Sequence, residues 1–96
     1  MSDKTYNGWT NYETWRVNLE IFDYTTANEF SSFSVYNPDC AYELSQELKD
    51  YAITLLEMEG TKGLTFDYAM AFLDAVDFRQ IAKAMIENAI EEHSHA

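Results

Sequence analysis

Residues 37–60 read NPDCAYELSQELKDYAITLLEMEG. Asn37 has a side chain suited to capping a helix N-terminus, and Pro38 suits the first helical position, where no backbone N–H is needed. Asp39 then falls in the first turn, where the helix dipole favours a carboxylate. Ala41, Leu44, Leu48, Tyr51, Leu55 and Met58 recur at spacings of three and four, and Gly60 follows as a C-terminal glycine should. The stretch predicts one long amphipathic helix over residues 38–59.

On either side the reading is also helical. Upstream, Thr10 and Glu13 have the spacing of a capping box. Tyr12, Trp15, Leu19 and Phe22 then share one helical face, although Trp15, Val17, Leu19 and Ile21 also alternate as a strand would. The capping signal favours helix. Residues 29–36 hold Phe30, Phe33, Val35 and Tyr36 among serines, a pattern that fits a short strand or hairpin as well as an aromatic-anchored loop. Downstream, Thr65 caps a short apolar helix, Phe66 to Ala75, with Ala69, Phe72 and Leu73 expected near the centre of the core. Asp77 and Gln80 form a second capping pair. They open a last helix with Phe78, Ile81, Ala82, Met85 and Ala89 on one face.

Three glycines and one proline in 96 residues argue against a turn-rich β fold. The expected fold is mainly α, a compact single domain of about four helices, with a strand or hairpin near 29–36 left open. Residues 1–9 are expected to be a flexible N-terminus, 10–92 the domain, and 93–96 a frayed tail. No stretch approaches the ~20 apolar residues of a membrane span. The polar N-terminus lacks a signal-peptide core. With Cys40 as the single cysteine, no internal disulfide can form. A cytoplasmic location is the expectation.

Charge bears most on function. Seventeen carboxylates face six basic side chains, for a formal net charge of −11, in a chain that is nevertheless 47% hydrophobic. Acid-rich disordered tails lack that apolar content. The chain therefore folds against its own repulsion, and its surface repels nucleic acid and anionic membranes while attracting basic grooves. Asp39, Glu43, Glu47, Asp50 and Glu57 follow spacings of four, four, three and seven. On a helix they form a stripe about 27 Å long, with a pitch comparable to that of phosphates on a nucleic-acid strand. Glu87 and Glu91 on the last helix are the further candidates for the same partner-binding surface. An ordinary solvated face explains a stripe of this kind too, but such faces usually mix signs, and here Lys49 is the one base. A cation site fits less well, because no calcium-loop spacing is present.

No catalytic constellation, zinc spacing or phosphate loop occurs, and no cofactor or metal is expected. His93 and His95 read as solvated tail residues. Tyr6 and Trp9, ahead of the first helix, are candidates for exposed or docking aromatics.

Two stretches carry a resemblance. NGWTNYETW at 7–15 and DFRQIA at 77–82 resemble a family of small phage, plasmid and mobile-element proteins. Those open with N-G-W/Y-x-N-x-E-T-W and close with a W/F-R-x-I-A helix. In size and charge the chain is also similar to anti-CRISPR proteins directed against type I systems, I-C among them. The resemblance implies a host-manipulating role without chemistry. On that basis the expected function is that of a monomeric DNA mimic, which is not an enzyme. It would dock in the basic nucleic-acid-binding groove of a Cas effector subunit of Cascade and block DNA. The alternative is a regulatory or assembly protein with an aromatic interaction surface.

Overall fold

The computed structural model describes residues 6–37, 39–60 and 62–95, with side chains to residue 93. Among these, helix α1 spans Tyr12–Val17 and runs on as a π-helical turn, Asn18–Phe22. A 3-10 turn at Ala27–Glu29 follows, then α2 (Ala41–Met58), α3 (Gly63–Asp74) and α4 (Phe78–His95). The mainly helical, four-helix architecture is as the sequence predicts. The described residues contain no strand, only isolated bridges at Tyr6–Trp9 and Ser34–Asn37.

The core is built between α2 and α4, which pack against each other. Leu44, Leu48 and Ala52 on α2 are fully buried, as are Ile81 and Ala82 on α4. All five residues predicted for the inner face of α4 are buried, with Ile86 added. Residues 29–36 take the loop alternative: Phe30 and Phe33 plug into the core and no strand forms. Two polar side chains are buried among these groups, and both are satisfied. The Ser45 hydroxyl donates to the Tyr42 carbonyl at 2.6 Å. Thr14 Oγ1 donates to Asn11 Oδ1 at 2.6 Å and accepts the Asp77 N–H at 2.8 Å.

Several expectations are corrected. Helix α2 begins at Ala41, not 38, because Asn37 closes a turn by donating its N–H to the Ser34 carbonyl at 3.0 Å. Pro38 lies outside the described residues. At the other end Gly60 does terminate the helix, with a φ of 75° that suits glycine. The cap of α1 is Asn11 rather than Thr10; its side chain accepts the Thr14 N–H at 2.9 Å. The buried face of this segment is Thr14, Val17 and Phe22, while Tyr12 and Leu19 are exposed. Val17 and Phe22 are five residues apart and still share a side, because the π turn takes more residues than the 3.6 of an α-helix. Helix α3 starts at Gly63 and buries only Leu73; Ala69 and Phe72 remain half-exposed at the edge. Helix α4 continues through the expected tail to His95.

Residues 6–9 are docked rather than trailing. Asn7 and Gly8 both have positive φ, as a type I′ turn requires, and Tyr6 and Trp9 exchange two backbone hydrogen bonds of 2.8 Å. This turn brings the Tyr6 ring to 4.9 Å from Trp15 and 5.3 Å from Tyr12. From there the two signature stretches clasp each other. Thr10 donates its N–H to Gln80 Oε1 at 2.7 Å and its hydroxyl to Asp77 Oδ2 at 2.7 Å. Asn11 Nδ2 donates to the Ala75 carbonyl at 2.8 Å, and Gln80 Nε2 to the Gly8 carbonyl at 3.2 Å. Asp77 meanwhile caps α4, accepting the Gln80 N–H at 3.1 Å. The residues of the signature thus fix the segment from Gly8 to Asn11 to the head of α4.

With axes of 45 × 38 × 20 Å the molecule is flat. Its radius of gyration is 14.2 Å, where a compact chain of this length has about 12.5 Å. A thickness of two helices leaves much of each helix at the surface.

Candidate partner-binding surface

The predicted stripe is only partly one row. Glu43, Asp50 and Glu57 project from α2 into solvent, spread over about 21 Å of axis. Asp39 is exposed but precedes the helix, so it does not continue the row in register. Glu47 is turned inward. Its Oε2 accepts the Ser31 N–H at 3.2 Å and the Ser31 hydroxyl at 3.1 Å, and its Oε1 accepts the Ser32 N–H at 3.0 Å. These bonds, from Ser32 and from Ser31, hold the Glu47 carboxyl below its ordinary value of 4.5, against the opposing effect of partial burial. Glu47 is an anchor for the 30–33 loop.

Two shallow depressions gather acids, one of them beside Glu47. One, of 350 Å³, is lined by Glu29, Glu47 and Asp50 beside Phe30 and Tyr51. The second, of 370 Å³, lies between the π turn and α4 and is lined by Asp23, Glu91 and Glu92 beside Trp9 and Phe22. Thr25 lines both, so the depressions adjoin across the 23–26 turn. Asp50 of α2 thus lines one depression and Glu91 of α4 lines its neighbour. Glu92 follows Glu91 on α4, and the depressions add Asp23 and Glu29, which the helix-face pattern did not single out because both sit on turns. Glu87 faces a different depression with Asn7, Gly8 and Lys83.

The carboxylates are mostly without basic partners. Among the described residues two ion pairs form, Arg16–Glu20 at 2.8 Å and Lys49–Asp74 at 3.8 Å. None of the predicted contact residues takes part in either. A surface of this kind offers charge and little else: it can hold a basic surface, and it contains no cluster of His, Cys, Asp or Glu among the described residues that is arranged to hold a metal ion. No helix in the described residues is long and apolar enough to cross a membrane.

Of the two aromatic candidates, Tyr6 is exposed, with Tyr12 and Trp15 packed against one side of its ring, while Trp9 packs half-buried against the core. The most outward aromatics are Tyr24, Tyr36, Tyr68 and Tyr42. Tyr36 stands edge-on to His93, with ring centres 6.1 Å apart. Cys40 is buried, and that burial, followed by the charges of Glu43 and Asp39, raises its thiol above the usual range against one hydrogen bond from Ser34.

The chain belongs to a family of unknown function, DUF7249, which matches it over residues 2–95, both ends of the clasp included. No curated protein and no solved structure matches it.

Proposed function

We propose that this DUF7249 protein acts by binding, not by catalysis, as an acidic inhibitor that occupies a basic nucleic-acid-binding groove and excludes the nucleic acid sterically. The observation that carries this reading is the adjoining acidic margin, Asp23, Glu29, Asp50, Glu91 and Glu92, in a chain of net charge −11. Lysine and arginine side chains that clamp phosphates find carboxylates there in place of phosphates. Glu43 and Glu57 extend the charge along α2. Complementary charge of this sort chiefly speeds and steers docking.

The resemblance of the opening segment to mobile-element proteins makes a host defence complex the first partner to try, with type I Cascade at its duplex-DNA site as the specific candidate. Immobilised protein should retain the purified complex at low salt, release it at about 0.5 M NaCl, and lose it to competing duplex DNA. The triple variant Glu43→Lys, Asp50→Lys, Glu91→Lys should retain nothing. Retention of the complex by that variant at wild-type strength would remove the carboxylates from the contact.

A further inference from the structure

Helix α3 does not fit the charge reading. Eight of its twelve residues are apolar, yet only Leu73 is buried. A helix face this apolar is normally turned toward the core of its own domain. Here Leu64 is 67% exposed and Tyr68 69% exposed, and Met58, at the end of α2, is 77% exposed. Leu64, Tyr68 and Phe72 recur every four residues, so they form one stripe along α3. Beside the stripe lies a groove of 530 Å³ between α3, α2 and the α1–π segment, floored by Val17, Ile21, Ala52, Leu56 and Phe72. That volume is in the range of pockets that bind specific ligands, and a contiguous apolar surface of this kind marks an interaction site.

The charges around the groove decide what it takes. Arg16, the one base in its lining, is already held by Tyr12 Oη at 2.8 Å and Glu20 at 2.8 Å. Glu20 in the lining is the partner of Arg16, and Asp74 is the partner of Lys49. The exposed acids left on the elements that wall the groove are Asp67 on α3 and Glu57 and Glu59 at the end of α2. A second copy of this chain would bring a further charge of −11 and acidic borders of its own. An anionic bilayer is repelled likewise. The complementary occupant has apolar anchors on one face and Lys or Arg along its margins. A groove between helices receives such anchors at helical spacing.

We propose that the α1–α2–α3 groove seats a basic amphipathic helix of a partner protein, with Tyr68 and Leu64 as the exposed contact residues. The site is separate from the acidic margin at the 23–26 turn. Tyr68 and Leu64 project outward, so their replacement leaves the core untouched.

The test is a titration of the intact protein with a fluorescent Leu/Lys peptide about four turns long, patterned as an amphipathic helix. The same composition scrambled to destroy the apolar face is the control. Tyr68→Glu and Leu64→Glu, each verified as folded by circular dichroism, should weaken the patterned peptide at least about tenfold. The scrambled peptide should bind the wild type at least about tenfold more weakly than the patterned one, while Asp50→Lys with Glu91→Lys should change patterned-peptide affinity by no more than about twofold. Equal binding of the patterned peptide to wild type and Tyr68→Glu overturns the proposal. So does equal binding of the two peptides, which would reduce the effect to charge alone. Sedimentation showing a wild-type dimer that Tyr68→Glu dissolves would assign the groove to self-association and also overturn it.

Discussion

Glu47 shows what the acidic pattern on α2 could not convey at the scale of one residue. Its position in the row is that of a solvent-facing acid, but the 30–33 loop folds over it and supplies the Ser31 and Ser32 donors. Nothing local to α2 announces those serines, sixteen and fifteen residues away. Because its pKa is lowered in the folded protein, Glu47 stabilises the fold at pH values above the ordinary carboxyl value, and that contribution disappears as pH falls through the folded value. Glu47→Gln should therefore cost about 1 kcal/mol at neutral pH. The difference from wild type should shrink as the pH is lowered well below 4.5; denaturant melts at several pH values measure it, and a pH-independent difference contradicts the loop-anchor role. Cys40 gives a second prediction at this scale. A buried thiol with a raised pKa should be modified slowly by a thiol reagent at about pH 8 and rapidly once the protein is unfolded. Fast modification of the native protein would show the thiol to be accessible.

At the scale of elements, the caps and terminators carry predictions of their own. Gly60 has a φ of 75° with nothing near its missing Cβ, so Gly60→Ala should cost about 1 kcal/mol from backbone conformation alone. Asn11→Ala removes the α1 cap and the bond to the Ala75 carbonyl together, and should cost about 1–2 kcal/mol. Thermal or denaturant unfolding reads both; a neutral Asn11→Ala would mean that the clasp does not hold α1. Helix α2, the α4 face and the Asp77 cap were legible because their periodicity and caps are local to the sequence. The errors have physical sources. Thr10 has a capping residue's chemistry, but its hydroxyl is drawn to Asp77 and Gln80, more than sixty residues away, leaving Asn11 to cap. The face of the first helix rotates because the π turn at Asn18–Phe22 breaks the 3.6 period on which the reading rested. Composition predicts that α3 is hydrophobic, but not that the fold leaves it at an edge. The Asn7–Gly8 turn had a readable signal, the Asn-Gly pair itself, and the apolar content of the neighbouring segment gave no hint that Tyr6 would fold back.

For the whole molecule, charge sets both stability and binding. A net charge of −11 with two ion pairs among the described residues means that self-repulsion opposes the folded state. Salt should raise the melting temperature between about 0.02 and 0.5 M NaCl by screening it. Asp50→Lys and Glu91→Lys, both at exposed positions, should raise the melting temperature at low salt while weakening partner binding, the trade expected when charge is kept for function. Unchanged melting in both experiments would show that the repulsion is negligible. Of the candidate site, the sequence revealed the sign of the charge and some of its carriers. The convergence of α2, α4 and the 23–26 turn depends on tertiary packing and was not visible in any one helix. The central claim, that carboxylates on that margin stand in for phosphates, is tested most directly by the affinity for a captured nucleic-acid-binding partner measured across a salt series. The account predicts a steep loss of affinity with rising salt and a shallower slope for the Asp50→Lys, Glu91→Lys variant. An affinity indifferent to salt, or a slope the variant leaves unchanged, would contradict it.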